Sequence, residues 1–159
     1  MAITLAPFPV RTGVSLEGNR LMTRPWVAWL SDMVDRLDAS PVRVANVSLT
    51  AKTASISATA FDRASKDAGM YRVGYFARIT TAATTSSSLT VTISGTNGGV
   101  AVSFAGAALT GNTTATVQSG NIYIQADAAT DVKYATTYAS SGGTAMVYSL
   151  WVTVERVEG

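Results

Sequence analysis

Six acidic side chains, Asp62, Asp67, Asp127, Asp131, Glu155 and Glu158, carry most of the capacity for chemistry in the larger, C-terminal part of this 159-residue chain. A glycosidase would need two of them facing each other across a cleft, about 5 to 10 Å apart. Asp127 and Asp131 stand close in sequence, but both flank the loop ADAATD, where such residues cap turns. The same loop offers oxygen ligands for calcium, yet its spacing matches no EF-hand pattern, and turn capping is the preferred reading. Histidine and cysteine are both absent. That removes the usual general base, triad base and metal ligand, together with disulfides and thiolate metal sites. Serines are abundant, but no SxxK pair accompanies them. GTNGG at 95–99 and GNT at 111–113 lie between strand-like runs and precede no helix, so they are hairpin turns rather than phosphate-binding loops. The expectation is a non-enzymatic protein with no catalytic residue, no cofactor and no metal.

Aromatic residues are the next candidates. Tyr71, Tyr75, Phe76, Tyr123, Tyr134, Tyr138, Tyr148 and Trp151 could stack on sugar rings if several were exposed together. Most fall in the inward phase of alternating runs. Arg72 and Arg78, with Phe76 between them, mark the outward face of one run, which is either an interface stripe or a solvated face.

The elements that position these residues are strands. From about residue 42 onward the apolar pattern has period two: Tyr71, Val73, Tyr75, Ala77 and Ile79 alternate with Arg72, Gly74, Phe76, Arg78 and Thr80, and Leu89, Val91 and Ile93 alternate with Thr and Ser. Further strands are expected over 44–50, 54–60, 100–104, 114–117, 122–126, 132–138 and 146–157, about nine in all. Turn chemistry separates them: KDAG at 66–69, GTNGG, GNT, SGN at 119–121 and SSGG at 140–143. Strands without intervening helices predict a mainly β protein, an antiparallel β-sandwich of eight or nine strands resembling a jelly roll. Immunoglobulin-like connectivity stays open at this level. The last run places Met146, Tyr148, Leu150, Val152 and Val154 on one face and Val147 and Trp151 on the other, so the strand is either central to the core or covered by another subunit.

Before this domain, residues 1–41 read differently. Pro7, Pro9, Gly13 and Gly18 prevent a regular period, and APFPV at 6–10 holds Phe8 between two rigid positions. This is an extended arm that either docks elsewhere or folds back on its own domain. TRPWVAWLSDMVDRL at 23–37 is a helix, with Thr23 as cap, Pro25 in the first turn and Pro41 as terminator. Trp26, Trp29, Leu30, Met33, Val34 and Leu37 form one apolar stripe, opposite Ser31, Asp32, Asp35, Arg36 and Asp38. About 15 residues of helix are marginal alone, so the stripe must pack on something. The organisation is therefore 1–41, an arm and amphipathic helix for attachment or oligomerisation, and 42–159, a β-sandwich head.

Charge narrows the partners. Only 14% of residues are charged, 12 Lys and Arg against 10 Asp and Glu. This sparse balance makes no phosphate-binding patch and argues against nucleic acid. No run approaches the roughly 18 apolar residues of a membrane span and no secretory signal pattern opens the chain, so synthesis in the cytoplasm without membrane insertion is expected.

GNRLMTRPWVAWL at 18–30 resembles a G-R-x-T-x-x-W-x-x-[WF]-[LF] segment near the N-terminus of small structural proteins of tailed-phage virions, with Gly18, Arg20, Thr23, Trp26, Trp29 and Leu30 at the matching kinds of position. Asn19 and the pair Leu21, Met22 lengthen the motif. The Thr-rich runs AGMYRVGYFARITTAATTSSSLTVTISG and MVYSLWVTVERV look like the β-sandwich heads of phage decoration proteins, fibres and adaptors. The resemblance implies a bacteriophage virion protein without cofactor, a symmetric homo-oligomer, most often a trimer, contacting other virion structural proteins. The lead expectation is a short fibre or appendage anchored by arm and helix, with Phe8, Trp26, Trp29, Leu30, Met33 and Leu37 as interface residues. The alternatives are a capsid decoration (cement) protein stapling neighbouring capsid subunits, and a carbohydrate-binding module for host surface glycans.

Overall fold

The computed structural model describes residues 16–17, 21–22, 24–38, 42–62 and 66–157, with helix side chains described from 26 to 34. The chain divides into two units, Met1–Ser40 and Pro41–Gly159. In the first, strands β1 (Leu16–Glu17) and β2 (Leu21–Met22) pair antiparallel, Leu16 opposite Met22. This part of the expected arm doubles back instead of running extended. Helix α1 spans Arg24–Asp38, with Pro25 in the first turn, where its missing N–H is not needed. Phe8 with its APFPV segment, the proposed cap Thr23, the side chains of Asp35, Arg36, Leu37 and Asp38, and Pro41 lie outside the described residues, as does Glu158.

Among the described residues the second unit is a sandwich of nine strands: β3 (Val42–Lys52), β4 (Ile56–Ala60), β5 (Gly69–Thr81), β6 (Ser86–Asn97), β7 (Val100–Ala105), β8 (Leu109–Thr110), β9 (Val117–Ala126), β10 (Lys133–Ser141) and β11 (Val147–Arg156). One sheet runs β3-β11-β5-β9 and the other β4-β10-β6-β7, with β8 also pairing β6. β7 and β8 both pair with β6, at Thr92–Asn97 and at Ser88–Leu89, and act as one interrupted edge strand. Counted that way there are eight strands, and the first pairs the last, the second the seventh, the third the sixth and the fourth the fifth. All four pairs are antiparallel, so the unit is one long hairpin rolled until β5 meets β11 and β6 meets β10. That is jelly-roll connectivity, two interlocked Greek keys.

Period two explains the core. Tyr71, Val73, Tyr75, Ala77 and Ile79 of β5, Leu89, Val91 and Ile93 of β6, and Tyr148, Leu150, Val152 and Val154 of β11 are all buried and pack between the sheets. Thr136 of one sheet and Tyr148 of the other are buried polar residues joined in a relay. Ile56 N–H donates to Thr136 Oγ1 at 2.9 Å, and Tyr148 Oη donates to the Ala54 carbonyl at 2.8 Å. The remaining 2.8 Å contact, between Thr136 Oγ1 and Tyr148 Oη, must then use the threonine proton. Every buried member is satisfied, and the relay ties both sheets to the β3–β4 connection.

Three expectations fail here for physical reasons. SGN at 119–121 is no turn: β9 runs straight through it, because Gly120 faces Tyr75 across the ladder. A Cβ on Gly120 would stand 2.7 Å from Tyr75 Cζ, so the glycine makes room for a ring and not for a bend. Residues 114–116 form no strand, and pairing begins at Val117. β11 is central to its sheet, but only one face lies in the core. On the other, Trp151 is 39% exposed, so the expected burial of both faces does not hold within one chain. The GTNGG turn narrows to Gly98 and Gly99, both at positive φ (60° and 74°), as a two-residue hairpin requires.

Candidate functional site

The outer face of the β3-β11-β5-β9 sheet gathers exposed aromatic side chains. Phe76, Tyr123 and Trp151 are 41%, 55% and 39% exposed, although each sits in a strand whose neighbouring residues point into the core. Register places Trp151 beside Phe76 and Phe76 beside Ser119. The two rings lie 5.7 Å apart, tilted by 46°. The next cross-strand row is Thr153, Gly74 and Asn121, and the one after it Glu155, Arg72 and Tyr123.

Gly74 turns this face into a depression. With no side chain there, an open hollow of about 450 Å3 forms, with Phe76 and Trp151 along one side and Ser119, Asn121 and Thr153 among its lining. Asn121 leans over its floor: a Cβ on Gly74 would lie 3.0 Å from Asn121 Oδ1. No ionisable carboxylate or cation lines the hollow. At its far end Arg72 Nε donates to Glu155 Oε2 at 2.9 Å, and the pair neutralises itself. Glu155 first, then the Tyr123 hydroxyl, holds the Arg72 guanidinium more firmly protonated than usual. Arg78, another cation of this face, is exposed and donates to the Thr114 carbonyl at 3.3 Å, and Arg43 of β3 stands opposite Glu155 in the Arg72 row.

The inward reading of the remaining aromatics holds. Tyr71, Tyr75, Tyr134 and Tyr148 are buried, and Tyr138 is half-buried. Of the exposed three, Phe76 was legible as outward between Arg72 and Arg78, whereas Trp151 reads from the sequence as part of a strand buried on both faces. Their adjacency depends on register between segments far apart in sequence.

Four of the six candidate acids, Asp67, Asp127, Asp131 and Glu155, are engaged structurally, and Asp62 is exposed. Asp127 accepts the N–H groups of Gly98 and Gly99, both at 2.9 Å, and so caps the β6–β7 hairpin rather than its own loop. These two bonds hold its carboxyl below the usual carboxylate range. Asp131 pairs with Lys66 at 2.6 Å, and Asp67 with Arg156 at 3.3 Å. Among the described residues no group of three or more Asp or Glu side chains is placed to hold a metal ion.

Of the residues expected at an interface, the helix presents Trp26, Trp29, Leu30 and Met33 as half-buried side chains. The indoles of Trp26 and Trp29 meet edge to face, with centroids 5.9 Å apart. Val34, placed in the same stripe by its spacing, is 51% exposed. Phe8 and the Leu37 side chain lie outside the described residues. Among the described residues no helix is long and apolar enough to cross a membrane. Compared with known proteins, the chain matches no family model and no curated protein.

Proposed function

We propose that this protein is a non-enzymatic structural component of a tailed-phage virion, a short oligomeric appendage anchored by its N-terminal arm and helix with the jelly-roll head projecting. The observation that carries the reading is the division of labour between the two units. The head closes a core from its own strands, with buried apolar residues running from Phe61 to Val154. Among the described residues, the space between its sheets is filled by side chains of Pro41–Gly159. The helix keeps two adjacent indoles at half-burial, and buried aromatic anchors dominate the energetics of protein interfaces. The GNRLMTRPWVAWL segment, with its likeness to virion proteins, spans the same indoles, and a sparsely charged Thr- and Ser-rich surface suits repeated protein contact.

The test uses the full chain with Trp26→Ala and Trp29→Ala together. The expected result is a folded head with its melting transition retained, loss of incorporation into particles, and a fall in oligomer mass by light scattering toward the 16.5 kDa of one chain. Unchanged incorporation and unchanged mass would remove the helix from the anchor.

A further inference from the structure

The hollow on the outer sheet face has a chemistry of its own. It offers a tilted aromatic pair, Phe76 and Trp151, and directly beside it a carboxamide and two hydroxyls, on Asn121, Ser119 and Thr153. Among the described residues no hydrogen bond engages the side chains of those three polar residues or the Trp151 indole N–H. The lining carries no charge, and the nearest ions, Arg72 and Glu155, satisfy each other. At about 450 Å3 the hollow falls within the range of about 300 to 1,000 Å3 typical of small-ligand sites.

A ligand that fits must be neutral, must present an apolar ring face to an indole, and must carry hydroxyls around its rim for an amide and two alcohols. A pyranose ring has this combination: axial C–H groups on one face and a girdle of hydroxyls. A peptide strand would seek a free sheet edge, and this site lies across the face of β5 and β11, whose backbone groups are already paired on both sides. An anion would find no unpaired cation in the lining. We propose that the outer face of the β3-β11-β5-β9 sheet holds a binding site for a neutral saccharide, one ring stacking on Trp151 and Phe76 while Asn121, Ser119 and Thr153 bond its hydroxyls. Tyr123, farther along β9 and 55% exposed, extends the platform for a second sugar unit. Gly74 is the residue that keeps the site open. The assignment stands on the geometry of this face and is independent of how the head is carried.

The experiment titrates the full-length protein with a panel of short neutral oligosaccharides of glucose, galactose and N-acetylglucosamine, followed by calorimetry and by the Trp151 indole N–H signal in NMR. Saturable binding by at least one panel member is expected, with the Trp151 resonance shifting. Trp151→Ala and Asn121→Ala should each weaken that binding about tenfold or more, and Gly74→Val should abolish it by filling the hollow. Asn121 is exposed, so its variant keeps the test valid if Trp151→Ala fails to fold. The proposal is overturned if no panel member binds saturably, or if binding survives both Asn121→Ala and Gly74→Val in folded protein. It is equally overturned if Trp151→Ala or Gly74→Val lowers the oligomer mass, since the face would then be an interface between copies.

Discussion

Replacing Tyr148 with phenylalanine removes one oxygen from the middle of the relay that joins the two sheets. The ring stays, and the cavity created is the size of a hydroxyl. The Ala54 carbonyl loses its donor, and the Thr136 hydroxyl loses the acceptor for its proton. Tyr148 is 0% exposed and Thr136 3%, so water does not readily replace what is lost. Leaving such groups unsatisfied costs about 1–3 kcal/mol. Taking about 2 kcal/mol, the melting temperature of a domain this size should fall by about 8 °C, and urea unfolding should show the same loss at unchanged m. Thr136→Val should cost a similar amount, because it strands the Ile56 N–H. Since the two hydroxyls share one bond, the double variant should cost about 0.5 kcal/mol or more less than the sum. Burial also raises the Tyr148 phenol above its ordinary value. A raised acid favours the folded state fully below the unfolded pKa of about 10, and that contribution is lost as pH rises from there through the folded value. Tyr148→Phe should therefore flatten the alkaline fall in stability. A Tyr148→Phe protein within about 0.5 kcal/mol of the parent, with additive behaviour in the cycle, would refute the relay.

Two further perturbations probe the frame of the head. Asp127→Asn should weaken the cap on Gly98 and Gly99. Because those bonds lower the folded carboxyl, its contribution is present above the unfolded value of about 4 and is lost as pH falls through the folded one, so the variant should show a shallower acid limb in stability against pH. A limb as steep as the parent's would assign the acid sensitivity elsewhere. Gly120→Ala should destabilise by about 1–3 kcal/mol in urea, since its Cβ would press on the Tyr75 ring. A neutral result would mean that the ring has room to shift.

Much of the fold was legible because the alternation is strong. The phases of Tyr71 to Ile79 and of Leu89 to Ile93 each name the buried face correctly, and turn residues separate most of the strands. What the sequence hides is pairing between distant segments. Gly120 looks like a turn residue until β5 lies beside it with Tyr75 opposite. Trp151 reads as a core residue until register sets it beside Phe76 on the outside, above a hollow that exists only because Gly74 has no side chain. Asp127 has the right type for a cap, but it caps a hairpin 28 residues away. The jelly-roll order itself follows from which strand pairs with which, and local pattern does not carry that information.

The claim that this chain is a virion component is tested most directly by mass spectrometry of particles purified by density gradient from the phage-producing strain that makes it. The account predicts that the protein co-sediments with the particles in a fixed ratio to the major structural subunits, and that the Trp26→Ala, Trp29→Ala form is left behind in the soluble fraction. Recovery of the unaltered protein wholly in the soluble fraction, with particles complete without it, would contradict the account.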